Sequence, residues 1–209
     1  MAKIRKEYNP DRPAKRKRRP IIYIICEGKE TETLYFKHFR SRSCLVDIIP
    51  ISSKHKAAEH LVKHAKSLIS QSTYYPKDGD QLWCVFDCDD NKNAELQAAM
   101  EYAQKHGYQI AYSNPSFEYW YLIHFEKRNG HLKASDAVIE ILKSRGYLED
   151  YEKSVDVFDK LQPHQAEAIA RAKERVEQLN RDRIPLLSRD SNPVTTVYEL
   201  VEFLNSKQA

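Results

Sequence analysis

The chain has 209 residues, 41% of them hydrophobic and 11% aromatic, which excludes wholesale disorder and suits one domain with additions or two small ones. Its formal charge of +4 is uneven: residues 1–19 hold nine Lys/Arg and two acids, a local +7, leaving about −3 for the other 190. The body is thus not a basic nucleic-acid binder, and five glycines argue against a glycine-rich nucleotide cradle or an all-β fold of many tight turns.

Residues 1–19 lack periodicity, contain Pro10 and Pro13, and read as a disordered basic arm. Two readings stand for it. Arg16, Lys17, Arg18 and Arg19 hold a phosphate backbone or an acidic partner, or the arm only solubilises. Residues 20–26 form a continuous apolar run, the signature of a fully buried strand. Residues 31–41 have helical spacing through Leu34, Tyr35, His38 and Phe39, with Thr31 as a candidate cap. Leu45–Ile51 reads as a second strand and 53–71 as an amphipathic helix. A turn-rich loop, TYYPKDGDQ, follows, and Leu82–Phe86 is a third strand ending in Asp87-Cys88-Asp89-Asp90-Asn91. Residues 94–106 are predicted helical, closed by Gly107 at C′, and Tyr108–Tyr112 is a fourth strand.

Strands alternating with helices predict an α/β fold: a parallel sheet flanked by helices, with a mainly helical C-terminal region. In that region Asn114 is a candidate N-cap, with Pro115 opening a helix through SFEYWYLIHFE. Further helices are predicted over 134–145 and 163–180. Asn192-Pro193 repeats the cap device before VTTVYELVEFLN. The predicted division is an arm over 1–19, an α/β core over 20–113, and a helical region over 114–209 packed on the core. No secretory leader or membrane-length apolar run is seen, so the expectation is a cytoplasmic protein with no membrane partner. Cys26, Cys44, Cys84 and Cys88 are then expected as thiols, buried rather than zinc-bound.

In a parallel sheet, ligands gather at the carboxyl ends of the strands. Glu27 follows the first strand, and Asp87 and Asp89 follow the third, so all three are expected on one rim. Carboxylates converging there repel one another unless protons or a cation intervene. Hard oxygen donors favour Mg²⁺ or Mn²⁺, which can activate a phosphoryl group or water. The plain alternative is that these acids only solvate loop starts and cap helices.

Glu27-Gly28 after one apolar strand and Asp87-x-Asp89 after another resemble the Toprim domain, the catalytic unit shared by topoisomerases, bacterial primases and OLD-type nucleases. CEGKETETLYF, VFDCDD, SNPSFEYWYLIHF and SNPVTTVYELV together resemble the RloB-like family over about residues 20–205. The long motifs are specific; the isolated Glu and DxD are not. The resemblance implies a Mg²⁺- or Mn²⁺-dependent nuclease subunit cutting DNA or RNA, linked with a companion AAA/ABC-type ATPase and defence against phage. It implies Glu27 as acid/base or metal ligand, Asp87 and Asp89 as metal ligands, and Glu32 as a ligand for a second ion. The large helical C-terminal region departs from the wider Toprim pattern. The other reading is a non-catalytic Toprim-like module that binds an ATPase or nucleic acid. A primase-like nucleotidyl transferase is a weaker third, since no zinc-binding partner domain is visible.

Phe117, Trp120 and Tyr121 are expected to pack a helix onto the sheet. Glu118 and His124 either make structural hydrogen bonds or join the catalytic groups; the resemblance includes both. Lys54 and Lys56 lie near the expected rim and could attract phosphate. His60 and His64 have zinc-compatible spacing but no HExxH Glu, so they read as a solvated face. No GxxxxGK[ST] or GxGxxG occurs, so any ATP dependence must come from a partner. A homo-oligomer remains open.

Overall fold

The computed structural model describes residues 18–69, 74–88 and 91–209. Most of the arm, including Arg16 and Lys17, and also Asp89 and Asp90, lie outside the described residues. Five strands form one sheet in the order β2-β1-β3-β4-β5. They are β1 (Ile21–Cys26), β2 (Asp47–Ser52), β3 (Gln81–Asp87), β4 (Gln109–Asn114) and β5 (Val194–Thr195). The first four are parallel; β5 runs antiparallel to β4.

Burial explains the order. β1 and β3 are the most continuously apolar runs, and they sit in the middle, buried on both faces. β2 carries Pro50, which cannot donate to a ladder, and it lies at the edge where that loss is tolerated. The helices in chain order are α1 (Thr31–Lys37), α2 (Ala58–His64), α3 (Asn93–His106), α4 (Glu118–Phe125), α5 (Ser135–Ser144), α6 (Phe158–Leu161), α7 (Gln165–Arg181) and α8 (Val197–Asn205). The β1–α1–β2 and β2–α2–β3 crossovers run in opposite directions along the sheet. Right-handed connections therefore place α1 on one face and α2 and α3 on the other, where α2 and α3 pack together. On the α1 side, Tyr35 anchors an aromatic cluster with Phe39, Phe117, Trp120, Tyr121 and Phe158.

Three sequence expectations change. The helix expected over 53–71 is shorter: α2 starts at Ala58 and gives way to a 3₁₀ turn at Ala65–Leu68. Asn114 does not cap a helix. It ends β4, is joined to Pro115 by a cis peptide, and α4 starts only at Glu118. Asn192-Pro193, also cis, leads into β5 rather than directly into a helix. The physical reason is that the two asparagines bind each other instead of helix amides. Asn192 Nδ2 donates to Asn114 Oδ1 at 2.9 Å, and Asn114 Nδ2 donates to the Ser188 carbonyl at 2.9 Å. The 114–209 region thus supplies a strand to the same sheet, and α8 packs on β4.

The start of β1 is held by a clamp. Arg18 donates twice to Asp80, at 2.8 and 2.9 Å, and lies over the Tyr75 ring. The buried Asp80 carboxylate also accepts the backbone N–H groups of Ile21 and Tyr75, each at 2.7 Å. Burial alone would push this carboxyl up, but Arg18 and the two amides hold it below its ordinary range. Asp80→Ala leaves two amides unpaired, an expected loss of about 2 kcal/mol or more. Arg18→Ala leaves them paired and should be milder. Thermal denaturation checks this; equal losses in the two variants would refute the amide-centred account.

Candidate functional site

Strand order reverses between β1 and β3, so the chain leaves them toward opposite faces and opens a crevice at their carboxyl ends. A cavity of about 320 Å³ lies there. Its lining includes Glu27, Glu32, Lys56, Asp87, Glu118 and Lys153.

Glu27 directly follows β1 and is only 8% exposed. Its backbone N–H continues the ladder to the Val85 carbonyl at 3.0 Å, and its Oε2 accepts the Asp87 N–H at 3.2 Å. That contact holds the two strand ends in register across the crevice. Gly28 is required by Glu32 rather than by backbone dihedrals. Its N–H donates to Glu32 Oε1 at 3.1 Å, and a Cβ there would stand 1.9 Å from Glu32 Oε2. The glycine therefore lets the first turn of α1 fold its carboxylate back over the strand end.

Glu118 begins α4 and is 2% exposed. Ser116 donates to it at 2.7 Å, Ser135 at 3.2 Å and Tyr151 at 3.3 Å, while Lys153 Nζ stands 3.8 Å away. These donors satisfy a buried carboxyl group that would be costly to leave without partners. The loop bearing Lys153 is pinned to α1, because the Thr31 hydroxyl donates to the Lys153 carbonyl at 2.8 Å. Thr31 thus ties the roof of the cavity, not the helix end. At the opposite wall, Lys56 donates to the Glu27 carbonyl at 3.3 Å.

Two carboxylate oxygens in this cavity, Glu32 Oε2 and Asp87 Oδ1, are buried with no hydrogen-bond partner among the described residues. Asp87 is partly exposed as a residue, but that atom is not. Burial first, and then Glu32, Glu118 and Glu27, push the Asp87 carboxyl well above its ordinary range. Burial likewise raises Glu32, with Glu118 adding to it. Among the described residues, no three His, Cys, Asp or Glu side chains are arranged to hold a metal ion.

The structure therefore gathers Glu27, Glu32, Asp87, Glu118 and Lys56 from the sequence candidates. Asp89 lies outside the described residues. Lys54 does not line the cavity. Neither does His124: it lies six helical positions after Glu118, a rotation of about 240°, which turns it into the core. There its Nδ1 pairs with the Trp120 carbonyl at 2.8 Å, its buried Nε2 has no partner among the described residues, and burial lowers its pKa to about 4. Arg18 is committed to Asp80, and with Arg19 it precedes β1 at the far end of the sheet. The length of β1 puts them about 17 Å or more from Glu27. Sequence reasoning missed Ser116, Ser135, Tyr151 and Lys153. Ser116 was findable, two residues before Glu118; the other three come from the C-terminal region without a motif. The four cysteines are buried free thiols, and His60 and His64 are exposed, as expected.

The family model described as RloB-like protein matches residues 22–204, most of the chain. No curated protein and no solved structure matches it.

Two opposite pH signatures follow. A raised carboxyl pKa binds more protons folded than unfolded, so its contribution is present at low pH and is lost as pH rises through the folded value. Asp87→Asn should therefore raise the melting temperature at neutral pH, by about 2–4 °C per kcal/mol gained, with the gain vanishing toward acid. His124 has a lowered pKa, so its contribution holds above pH 6.5 and is lost as pH falls toward 4, on the order of 3 kcal/mol. His124→Leu should flatten that limb. Melting curves against pH, read as wild-type-minus-variant differences, test both signs.

Proposed function

Because the chain belongs to the RloB-like family, we propose that it is a Toprim-type, Mg²⁺- or Mn²⁺-dependent nuclease subunit acting on DNA or RNA phosphodiesters. One observation carries this reading: two buried carboxylate oxygens, on Asp87 and Glu32, without a partner among the described residues, share a cavity with Glu27 and Glu118 at a strand-order reversal. Such a cluster is stable only with protons or a cation, and hard oxygen donors suit a divalent cation. Glu27, Asp87 and Asp89 would hold the ion, with Glu32 available to a second. A bound ion would polarise a phosphoryl oxygen and activate water.

The chain's own groups have separable roles. Asp87 and Glu32, whose carboxyl pKa values burial and neighbouring acids push up, would release any protons they carry to a cation bound there. Glu27, its Oε2 already accepting one backbone N–H, is placed to take or return a proton at the strand end. Lys56 and Lys153 flank the acidic floor and counter the charge of an entering phosphate. Glu118, locked by two serines and a tyrosine, fixes the wall of the cavity. Since the sequence has no P-loop, the companion ATPase and the role in phage defence belong to the same proposal as contributions of a partner.

A second reading, a non-catalytic Toprim-like binding module, is favoured by the internal hydrogen bonds that already engage Glu27, Glu32 and Glu118. Calorimetric Mn²⁺ titration of the wild type, Asp87→Asn and Asp89→Asn separates the two. The nuclease reading expects saturable binding in the wild type, weakened about 100-fold or lost in each variant, with parallel loss of nucleic-acid cleavage. No binding at millimolar metal, with or without nucleic acid, would transfer the assignment to the binding module.

A further inference from the structure

A second cavity, of about 280 Å³, adjoins the acidic one and has the opposite character. Cys88, Asn114, Pro115, Lys133, Ser135 and Arg189 are among its lining residues, with His131. The two share walls. Asp87 faces the first cavity and the next residue, Cys88, the second; Ser135 lines the second while donating to Glu118 in the first. No carboxylate of the described residues lines it.

Its donors converge from two segments, residues 131–135 and Arg189. Lys133 and His131 are exposed, and neither has an ion-pair partner among the described residues. Arg189 is anchored from below, its Nη1 donating to the Asn91 carbonyl at 3.1 Å, so its guanidinium has a fixed place in the wall. The first turn of α5 also opens here. Its N-cap, Ala134, offers no side-chain acceptor to the leading amides, and the first-turn Asp136 is exposed and does not line the cavity.

We propose that this cavity binds a backbone phosphate of a nucleic-acid strand, next to the phosphate that occupies the acidic cavity. The inference rests on the nuclease reading and adds the substrate's path to it. The acidic cavity alone would repel a polyanion; a cationic pocket across a shared wall supplies the attraction that seats the strand. The path runs from Lys153 and Lys56 across Asp87 to Lys133 and Arg189.

The test is fluorescence anisotropy with labelled single-stranded DNA and RNA twelve-mers. The full chain carries Asp87→Asn, so that the strand stays whole. Adding His131→Ala with Lys133→Ala should weaken binding about fivefold or more and flatten the log-affinity against log-salt slope by about 0.7 per lost contact. Lys133→Arg should retain both. Unchanged affinity and slope in the double variant, with strands still bound, would overturn the subsite alone. Failure of the parent chain to bind either strand would overturn the nucleic-acid reading itself. Titration of inorganic phosphate distinguishes a free-anion site: phosphate binding lost in the double variant, with strand binding unaffected, would also overturn the proposal.

Discussion

Mutual repulsion among buried carboxylates is the constraint around which this molecule is arranged. Glu27, Glu32, Asp87 and Glu118 converge where β1 and β3 part, and two of their oxygens have no donor among the described residues. A core built for stability alone would not hold them there, because each buried charge without a partner opposes folding. Their retention is understandable if the cluster is completed by something positive. The surrounding scaffold limits the repulsion as far as its own donors allow: Gly28 N–H on Glu32, Asp87 N–H on Glu27, and two serines and a tyrosine on Glu118.

The scaffold that holds this cluster is large for the purpose. The cis Asn114–Pro115 and Asn192–Pro193 segments are joined through their asparagine side chains, and that joint closes β5 onto β4. The same joint places α4, and hence Glu118, directly over the ends of β1 and β3. The aromatic cluster around Tyr35 then fixes α1 against α4. Glu32 on α1 and Glu118 on α4 are therefore positioned by packing rather than by loops, which suits a site whose geometry must be rigid.

The distribution of charge gives the molecule a direction. The carboxyl end of the sheet holds an acidic cavity beside a cationic one, both walled by residues from the two halves of the chain. The amino end holds the Arg18–Asp80 clamp, where the basic arm joins β1. A strand of β1's length separates the two ends.

Much of this was legible in the sequence. Continuous apolar runs marked β1 and β3, because a strand buried on both faces has no room for alternation, and shorter apolar runs marked β2 and β4. The positions of Glu27 and Asp87 at strand ends followed from the same runs, and so did their shared rim. What the sequence could not decide were contacts whose partners lie far apart along the chain. Asn-Pro reads as a helix start by local preference, but each asparagine met the other across 78 residues and ended a strand instead. Glu118 and His124 looked equivalent in one motif until the turn of a helix sent one to the cavity and the other to the core. Ser135, Tyr151 and Lys153 carried no pattern, since a hydrogen bond to a distant carboxylate leaves no periodicity. The sequence by itself determined the four parallel strands and the acidic rim, through hydrophobic burial. Only the tertiary structure decided which side chains close over that rim, because directional polar contacts form after the layers have packed.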